Sequence, residues 1–269
     1  MSLYQQLAEN LQYISPSLYK QRYFKSLNNL SKENFSQRNV EPELVWIKEF
    51  LPKNAVILDI GANVGTFLYQ LEKVLTHSNI YAFEPNKKLN ARLKRLFPKM
   101  HILPYALSDE NTTAEFKVPI INGKMVASRG TLNTSYKEKG EENSYTETVE
   151  VVKMDDWATK KSLDKIDFIK IDVEGNEMKT LIGGKKIIQK YKPVLMVEME
   201  QRHHTQPIWN EISEMESWGF DANYLNRKTF TIEKLTEEIL LKNTADEKNK
   251  TDYINNIIFI SKKSLKNLL

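Results

Sequence analysis

The sequence predicts an α/β fold: a mostly parallel sheet with helices on both faces, closed by a C-terminal antiparallel hairpin. Two observations carry this. From Ala55 onward short β-rich runs alternate with helical segments over short connections, the pattern of βαβ units. The first such run, Val56-Ile57-Leu58-Asp59-Ile60, leads through Gly61-Ala62-Asn63-Val64-Gly65 into a helix, which is where a doubly wound sheet binds its ligand.

Before that rhythm starts, Leu3, Leu7, Leu11 and later Leu44, Trp46, Ile47 and Phe50 stand at helical spacing, broken by Pro16, Pro42 and a polar Asn/Ser stretch at 26–39. Residues 1–50 are expected to form a helical lead-in or lid, and 51–269 the main domain. Strands are expected at 56–58, 80–83 and 102–103, with helices at 64–75 and 87–97 between them. Residues 111–152 break the rhythm with Thr/Ser-rich turns and a strand at 148–152, and read as an insertion. The rhythm resumes with strand 166–173, one helix over 177–190, strand 194–198 and a helix over 209–218. Runs 222–225 and 257–261 form the hairpin, across a Lys/Glu-rich stretch at 233–251.

Hydrophobic residues at 41% and charged residues at 28% of 269 exclude a disordered or fibrous chain and leave room for one dominant domain. Cysteine is absent, which excludes disulfides, thiolate metal sites and a cysteine nucleophile. There is no basic-then-apolar leader and no apolar run long enough to span a bilayer, so a cytoplasmic location is expected. The net charge of +4 comes from interleaved Lys, Arg, Asp and Glu, and no nucleic-acid partner is expected. The densest basic stretch, Lys87 to Arg95, has Leu89, Leu93 and Leu96 behind it and reads as a solvated helix face.

The glycine loop narrows the ligand. A dinucleotide fingerprint wants glycine where this chain has Asn63 and Thr66, and the Gly-Lys-Ser/Thr ending of a phosphate loop is missing. Two carboxylates remain: Asp59 just before Gly61, and Glu84 at the end of the next strand in Phe83-Glu84-Pro85. The second can accept both hydroxyls of a ribose, and the first can hold an ammonium group directly or through water. S-adenosylmethionine makes both demands and carries no phosphate.

A second acidic cluster, Asp172-Val173-Glu174-Gly175-Asn176-Glu177, ends the strand expected at 166–173 and precedes a helix. Asp172 falls at the switch point beside the glycine loop, where it could offset the sulfonium, bind the amino group or act as a base. Glu177 has the plainer role of an acid in the first turn of a helix. Glu198 ends the following strand, and His203 just beyond it could take a proton from a hydroxyl near neutral pH. No metal ligand is assigned: His203 and His204 are adjacent and share no face, and a carboxylate-held metal would need Asp172 and Glu198 to converge.

Together Asp59-Ile60-Gly61-Ala62-Asn63-Val64-Gly65, Ala82-Phe83-Glu84-Pro85, Ala106-Leu107-Ser108-Asp109, Met154-Asp155-Asp156 and Ile169 to Glu177 resemble, in this order, the FkbM family of class I methyltransferases. The resemblance covers roughly 56–220. It implies a seven-stranded Rossmann-like sheet and O-methylation of hydroxyls, on sugars, surface glycans or secondary metabolites. It assigns Asp59, Gly61, Asn63 and Gly65 to the methionine end of the cofactor and Glu84 to its ribose. Tyr105 and Ala106 would lie near the adenine, with Ser108 and Asp109 as alternative contacts. The proton acceptor is drawn from Asp172, Glu198 and His203. Acceptor choice is expected to reside in the first fifty residues and 111–144. The apolar terminal segments are candidates for a lid or for a homodimer interface.

Two rival readings stand beside this one. Methylation of nitrogen or carbon is disfavoured by the lack of an Asn-Pro-Pro-Tyr-type sequence where the chain has Asp172-Val173-Glu174-Gly175. A non-catalytic nucleoside-binding subunit of a glycan-assembly complex would keep the same acidic positions.

Overall fold

The computed structural model describes residues 3–38, 40–244 and 253–262. Met1, Ser2, Asn39 and the end of the polar stretch, 245–251, lie outside the described residues, as do 252 and 263–269. Helices α1 (Leu3–Ile14), α2 (Pro16–Tyr23) and α3 (Glu43–Phe50) come first. Pro16 opens α2 at a position where its missing amide costs nothing. Then follow β1 (Ile57–Ile60), α4 (Thr66–Leu71), β2 (Ile80–Phe83), α5 (Lys87–Leu96) and β3 (His101–Leu103). Every residue of β1 and β2 is buried, without alternation, as in central parallel strands, and all but Asp59 are apolar or aromatic.

The insertion is a sheet of its own. Strands β4 (Tyr105–Ser108), β5 (Thr112–Ile121), β6 (Lys124–Met125) and β7 (Glu141–Lys153) order as β4-β7-β5-β6. Here alternation decides the structure. Glu147, Val149 and Val151 face inward on β7, and Thr148 and Glu150 outward. Val149 and Val151 join Ala106, Phe116 and Val118 in a small separate core. The single strand expected at 148–152 is thus the end of a 13-residue strand paired along β5.

The main chain path resumes with α6 (Met154–Lys161), β8 (Phe168–Ile171), α7 (Glu177–Gly183), α8 (Lys185–Tyr191), β9 (Val194–Glu198) and α9 (Trp209–Ser217). It closes with β10 (Phe220–Leu225), β11 (Ile232–Lys234), α10 (Glu237–Thr244) and β12 (Asn256–Ser261). The helix expected over 177–190 is two. A Cβ on Gly183 would stand 1.9 Å from the Ser108 carbonyl oxygen, and one on Gly184 2.8 Å from Met154, so the chain changes direction where it presses against β4 and α6.

Among the described residues the main sheet orders β3-β2-β1-β8-β9-β12-β10-β11. Strands β3, β2, β1, β8 and β9 are parallel; β12 enters antiparallel between β9 and β10. Runs 222–225 and 257–261 do pair, Ala222 opposite Phe259, and the seven expected strands gain an eighth at the edge, β11. Apolar clusters cover both faces. Residues of 19–51 form a layer of one, with Tyr19, Phe24, Leu27 and Trp46 packed in the same cluster as Leu68 of α4. Phe24 stacks on Tyr69 at 4.7 Å. Burying side chains of this size stabilises by about 1.5–3 kcal/mol each. The segment expected as a lead-in is therefore built into the fold.

Candidate functional site

The parallel strands deliver their carboxyl ends to one edge, and β1 turns there sharply. The amides of Gly61 and Ala62 both donate to the Phe83 carbonyl at 3.0 Å. Gly61 has φ of 80°, and a Cβ there would lie 1.8 Å from the carbonyl oxygen of Asp172. Only glycine lets β1 and β8 approach so closely. The next residues bring the Asn63 amide to Glu84, whose Oε2 accepts it at 2.7 Å, while Oε1 accepts the amide of Asn86 at 2.8 Å. Burial pushes the Glu84 carboxyl up to about 7, against the pull of those two amides.

Behind the loop lies a charged group set into the sheet. Asp59 of β1 and Lys170 of β8 occupy paired positions on neighbouring strands, and both point to one face. Lys170 Nζ lies 3.1 Å from Asp172 Oδ2, 3.2 Å from the Gly61 carbonyl and 3.6 Å from Asp59 Oδ1. Asp59 is wholly buried and neither of its oxygens makes a hydrogen bond. Burial raises its carboxyl to about 6, with Lys170 opposing and Asp172 adding to the rise. Burial works against the Lys170 ammonium, but Asp172 and Asp59 outweigh it and hold it above the usual lysine range. It is a fixed cation.

The cleft opens between this edge and the inner face of the small sheet. Its empty space, open mouth included, is about 540 Å³. Gly61, Asn63, Glu84, Tyr105, Ala106 and Asp172 meet in its wall. Phe116 and Leu132 of the insertion complete it. Asp59, Gly65, Glu198 and His203 are not among its lining residues. Gly65 has a packing role, since a Cβ there would meet Phe97 and Leu93 at 2.7 and 2.8 Å. Ser108 turns its hydroxyl to Asp109 instead of the cleft.

At the other end of the wall Glu174 and Gly175 both take positive φ, 53° and 94°, immediately after Val173. Strain of this kind in a non-glycine residue persists only where neighbours enforce it. Glu177 folds back to accept the Gly175 amide at 3.0 Å, and Thr131 of the insertion donates to the Glu174 carbonyl at 2.7 Å. Burial lifts the Glu177 carboxyl to about 7. Beyond Glu174, Arg202 reaches Glu138, Glu174 and Glu200, and His203 Nε2 lies 2.8 Å from Glu174 Oε2. Asp172 is tied to Lys170, and Glu198 accepts from Asn255 at 2.9 Å. Burial, followed by Asp172, holds the Glu198 carboxyl well above its usual range.

Lys170, Glu138 and Asn255 were missed by the reading of the sequence. Lys170 had a signal, a lone charge inside an apolar strand. Glu138 and Asn255 had none, because each reaches the site from a distant, polar part of the chain.

These residues fit S-adenosylmethionine. The wall carries the carboxylates of Glu84, Asp172 and Glu174 and, among the described residues, no lysine or arginine. That suits a cationic nucleoside and disfavours a phosphate. The unpartnered Asn63 Oδ1, and the Asp59 oxygens, which face Lys170 at 3.6 Å but accept no hydrogen bond, are buried acceptors of the kind an ammonium group would satisfy. Phe83, Leu107 and Phe116 supply apolar surface for a base.

Residues 59–225 match the family model described as Methyltransferase FkbM domain. A "2-O-methyltransferase NoeI" of Sinorhizobium fredii is 29% identical over 146 residues, 50% of this chain and 59% of that one. The "AMB antimetabolite synthetase AmbE" of Pseudomonas aeruginosa is 24% identical over 188 residues, 58% of this chain and 9% of that one. The chain thus spans less than two thirds of these curated relatives. A solved structure of a methyltransferase FkbM from Methylobacillus flagellatus is similar with a TM-score of 0.49 at 14% identity, covering 78% of this chain and 44% of the other.

Proposed function

The chain belongs to the FkbM methyltransferase family, and from that premise we propose that it transfers the methyl group of S-adenosylmethionine to a hydroxyl of a sugar, a surface glycan or a secondary metabolite. The observation that carries this reading is the cleft wall itself, which is lined by three carboxylates and no basic side chain, Lys170 and Arg202 meeting Asp172 and Glu174 from behind it, next to a loop bonded to Glu84. The "2-O-methyltransferase" named among the relatives supports oxygen as the acceptor atom.

The cofactor supplies a methyl carbon made electrophilic by its sulfonium. The protein's part is to bind, orient and take up a proton. Glu84, fixed by two amides, accepts the ribose hydroxyls. Asn63 receives the amino group, with Asp59 acting on it from behind the wall, and Tyr105, Ala106 and Leu107 border the adenine. Holding the acceptor oxygen in line with the sulfonium supplies much of the rate. A C–O bond forms, the C–S bond breaks, and the acceptor proton passes to a cleft carboxylate. Asp172 is our choice: it lines the cleft, and Lys170 holds it in place from behind. Glu198 and His203, the other candidates, stand outside the wall.

Incubation with S-adenosylmethionine labelled in its methyl group and a panel of hydroxylated glycans tests the proposal. Label should enter an acceptor oxygen with the wild type. Asp172→Asn should keep S-adenosylhomocysteine binding and lose turnover by about a hundredfold or more. Unchanged turnover in that variant would remove Asp172 from the mechanism.

A further inference from the structure

His203 stands outside the cleft wall, and its surroundings are unusual. Its side chain is 5% exposed; Nε2 faces Glu174 Oε2 at 2.8 Å, while Nδ1 has no partner. A buried polar group without a partner costs about 1–3 kcal/mol. The ring is nonetheless carefully held. Tyr136 packs against it at 4.7 Å, and Gly175 leaves it room, since a Cβ there would come within 3.1 Å of the His203 Cβ.

Two carboxylates face the same point. One ligand atom each from Glu138, Glu174 and His203 falls within 4.8 Å of the others, and the three come from separate segments: the turn before β7, the loop after β8 and the segment after β9. Arg202 and Arg129 partly neutralise the cluster, against Glu138, Glu174 and Glu200. One negative charge is left over. Arg202 is more exposed than these three carboxylates, at 29%, and Arg129 more so at 40%, so both cations have room to turn toward solvent.

We propose that Glu138, Glu174 and His203 bind a divalent metal ion of the Mn²⁺ class at the edge of the cleft. One imidazole and two carboxylates suit a cation that accepts both oxygen and nitrogen and keeps open positions. Because Glu174 also lines the cleft, an acceptor hydroxyl can occupy one of those positions. Coordination fixes the oxygen and eases loss of its proton, which passes to Asp172, outside the ligand set. This role rests on the proposed methyl transfer; the binding site does not.

The test is titration of the full chain with Mn²⁺, followed by electron paramagnetic resonance, with S-adenosylhomocysteine binding measured separately as a check of folding. One bound Mn²⁺ per chain is expected, weakened about tenfold or more in His203→Ala and in Glu138→Gln, with nucleoside binding kept. Should His203→Ala lose nucleoside binding as well, His203→Gln takes its place. Wild type that binds neither Mn²⁺ nor Zn²⁺, or binds them as the folded variants do, overturns the proposal and leaves Arg202 as the cluster's cation. Absence of nucleoside binding in a wild type that binds Mn²⁺ would instead overturn the proposed function and leave the metal site standing.

Discussion

Glu84, at the end of β2, accepts the backbone amide of Asn63 at 2.7 Å, so the residue that would hold a ribose is itself held by the glycine loop. The Asn86 amide fixes its other oxygen at 2.8 Å. Loop and carboxylate are one rigid unit, and the lone pairs left over on each oxygen are free to accept from a ligand in the cleft.

Binding through Glu84 should depend on pH. Burial raises its carboxyl to about 7, so the ionised acceptor is lost as pH falls through that value. Affinity for S-adenosylhomocysteine is expected to fall between pH 8 and 6 in the wild type. Glu84→Gln should bind about 10–100-fold more weakly at pH 8, the loss of a hydrogen bond to a charged acceptor, and show a flatter profile. Calorimetry across that window checks both.

Asp59 is kept at the expense of stability. Its folded pKa of about 6 stands above the unfolded value of about 3.9, so its contribution to stability is fully present below the unfolded value and is lost as pH rises through about 6. At pH 8 Asp59→Asn should therefore be as stable as wild type or more so in urea, because Lys170 keeps Asp172. S-adenosylhomocysteine binding should weaken all the same. A variant both destabilised and fully able to bind would show Asp59 to be structural.

Lys170→Met should be destabilising. It strands the buried Asp59 and leaves Asp172 without its cation, and removing one partner of a buried pair costs about 3–5 kcal/mol. Combining it with Asp59→Asn should recover part of that loss in the same urea unfolding experiment.

Gly61→Ala tests the closeness of β1 and β8. The added Cβ would meet the Asp172 carbonyl at 1.8 Å from a backbone at φ 80°, so the strand ends must separate. Loss of nucleoside binding and a lowered melting temperature are expected. Gly123→Ala, also at positive φ but with nothing near its Cβ, is the control and should change binding little.

Much of this was legible in the sequence because the site sits at strand ends. Strands 80–83 and 194–198 appear where expected, since buried parallel strands announce themselves as apolar runs, and Glu84, Asp172 and Glu198 then fall at the same edge by register alone. What was not legible came from long-range packing. The insertion's second sheet has polar outward faces that look like loop, and the break between α7 and α8 depends on Ser108, far away in sequence. The Glu138–Arg202–Glu174 cluster depends on three segments meeting, and no local pattern encodes it. No helix of the described residues is long and apolar enough to cross a membrane.

The most direct test of the central claim is a calorimetric comparison of S-adenosylmethionine, S-adenosylhomocysteine, NAD and ATP on the wild type and on Glu84→Ala. Binding of the first two alone, lost in the variant, is the predicted result. A folded wild type that binds neither, or that prefers NAD or ATP, would contradict the account.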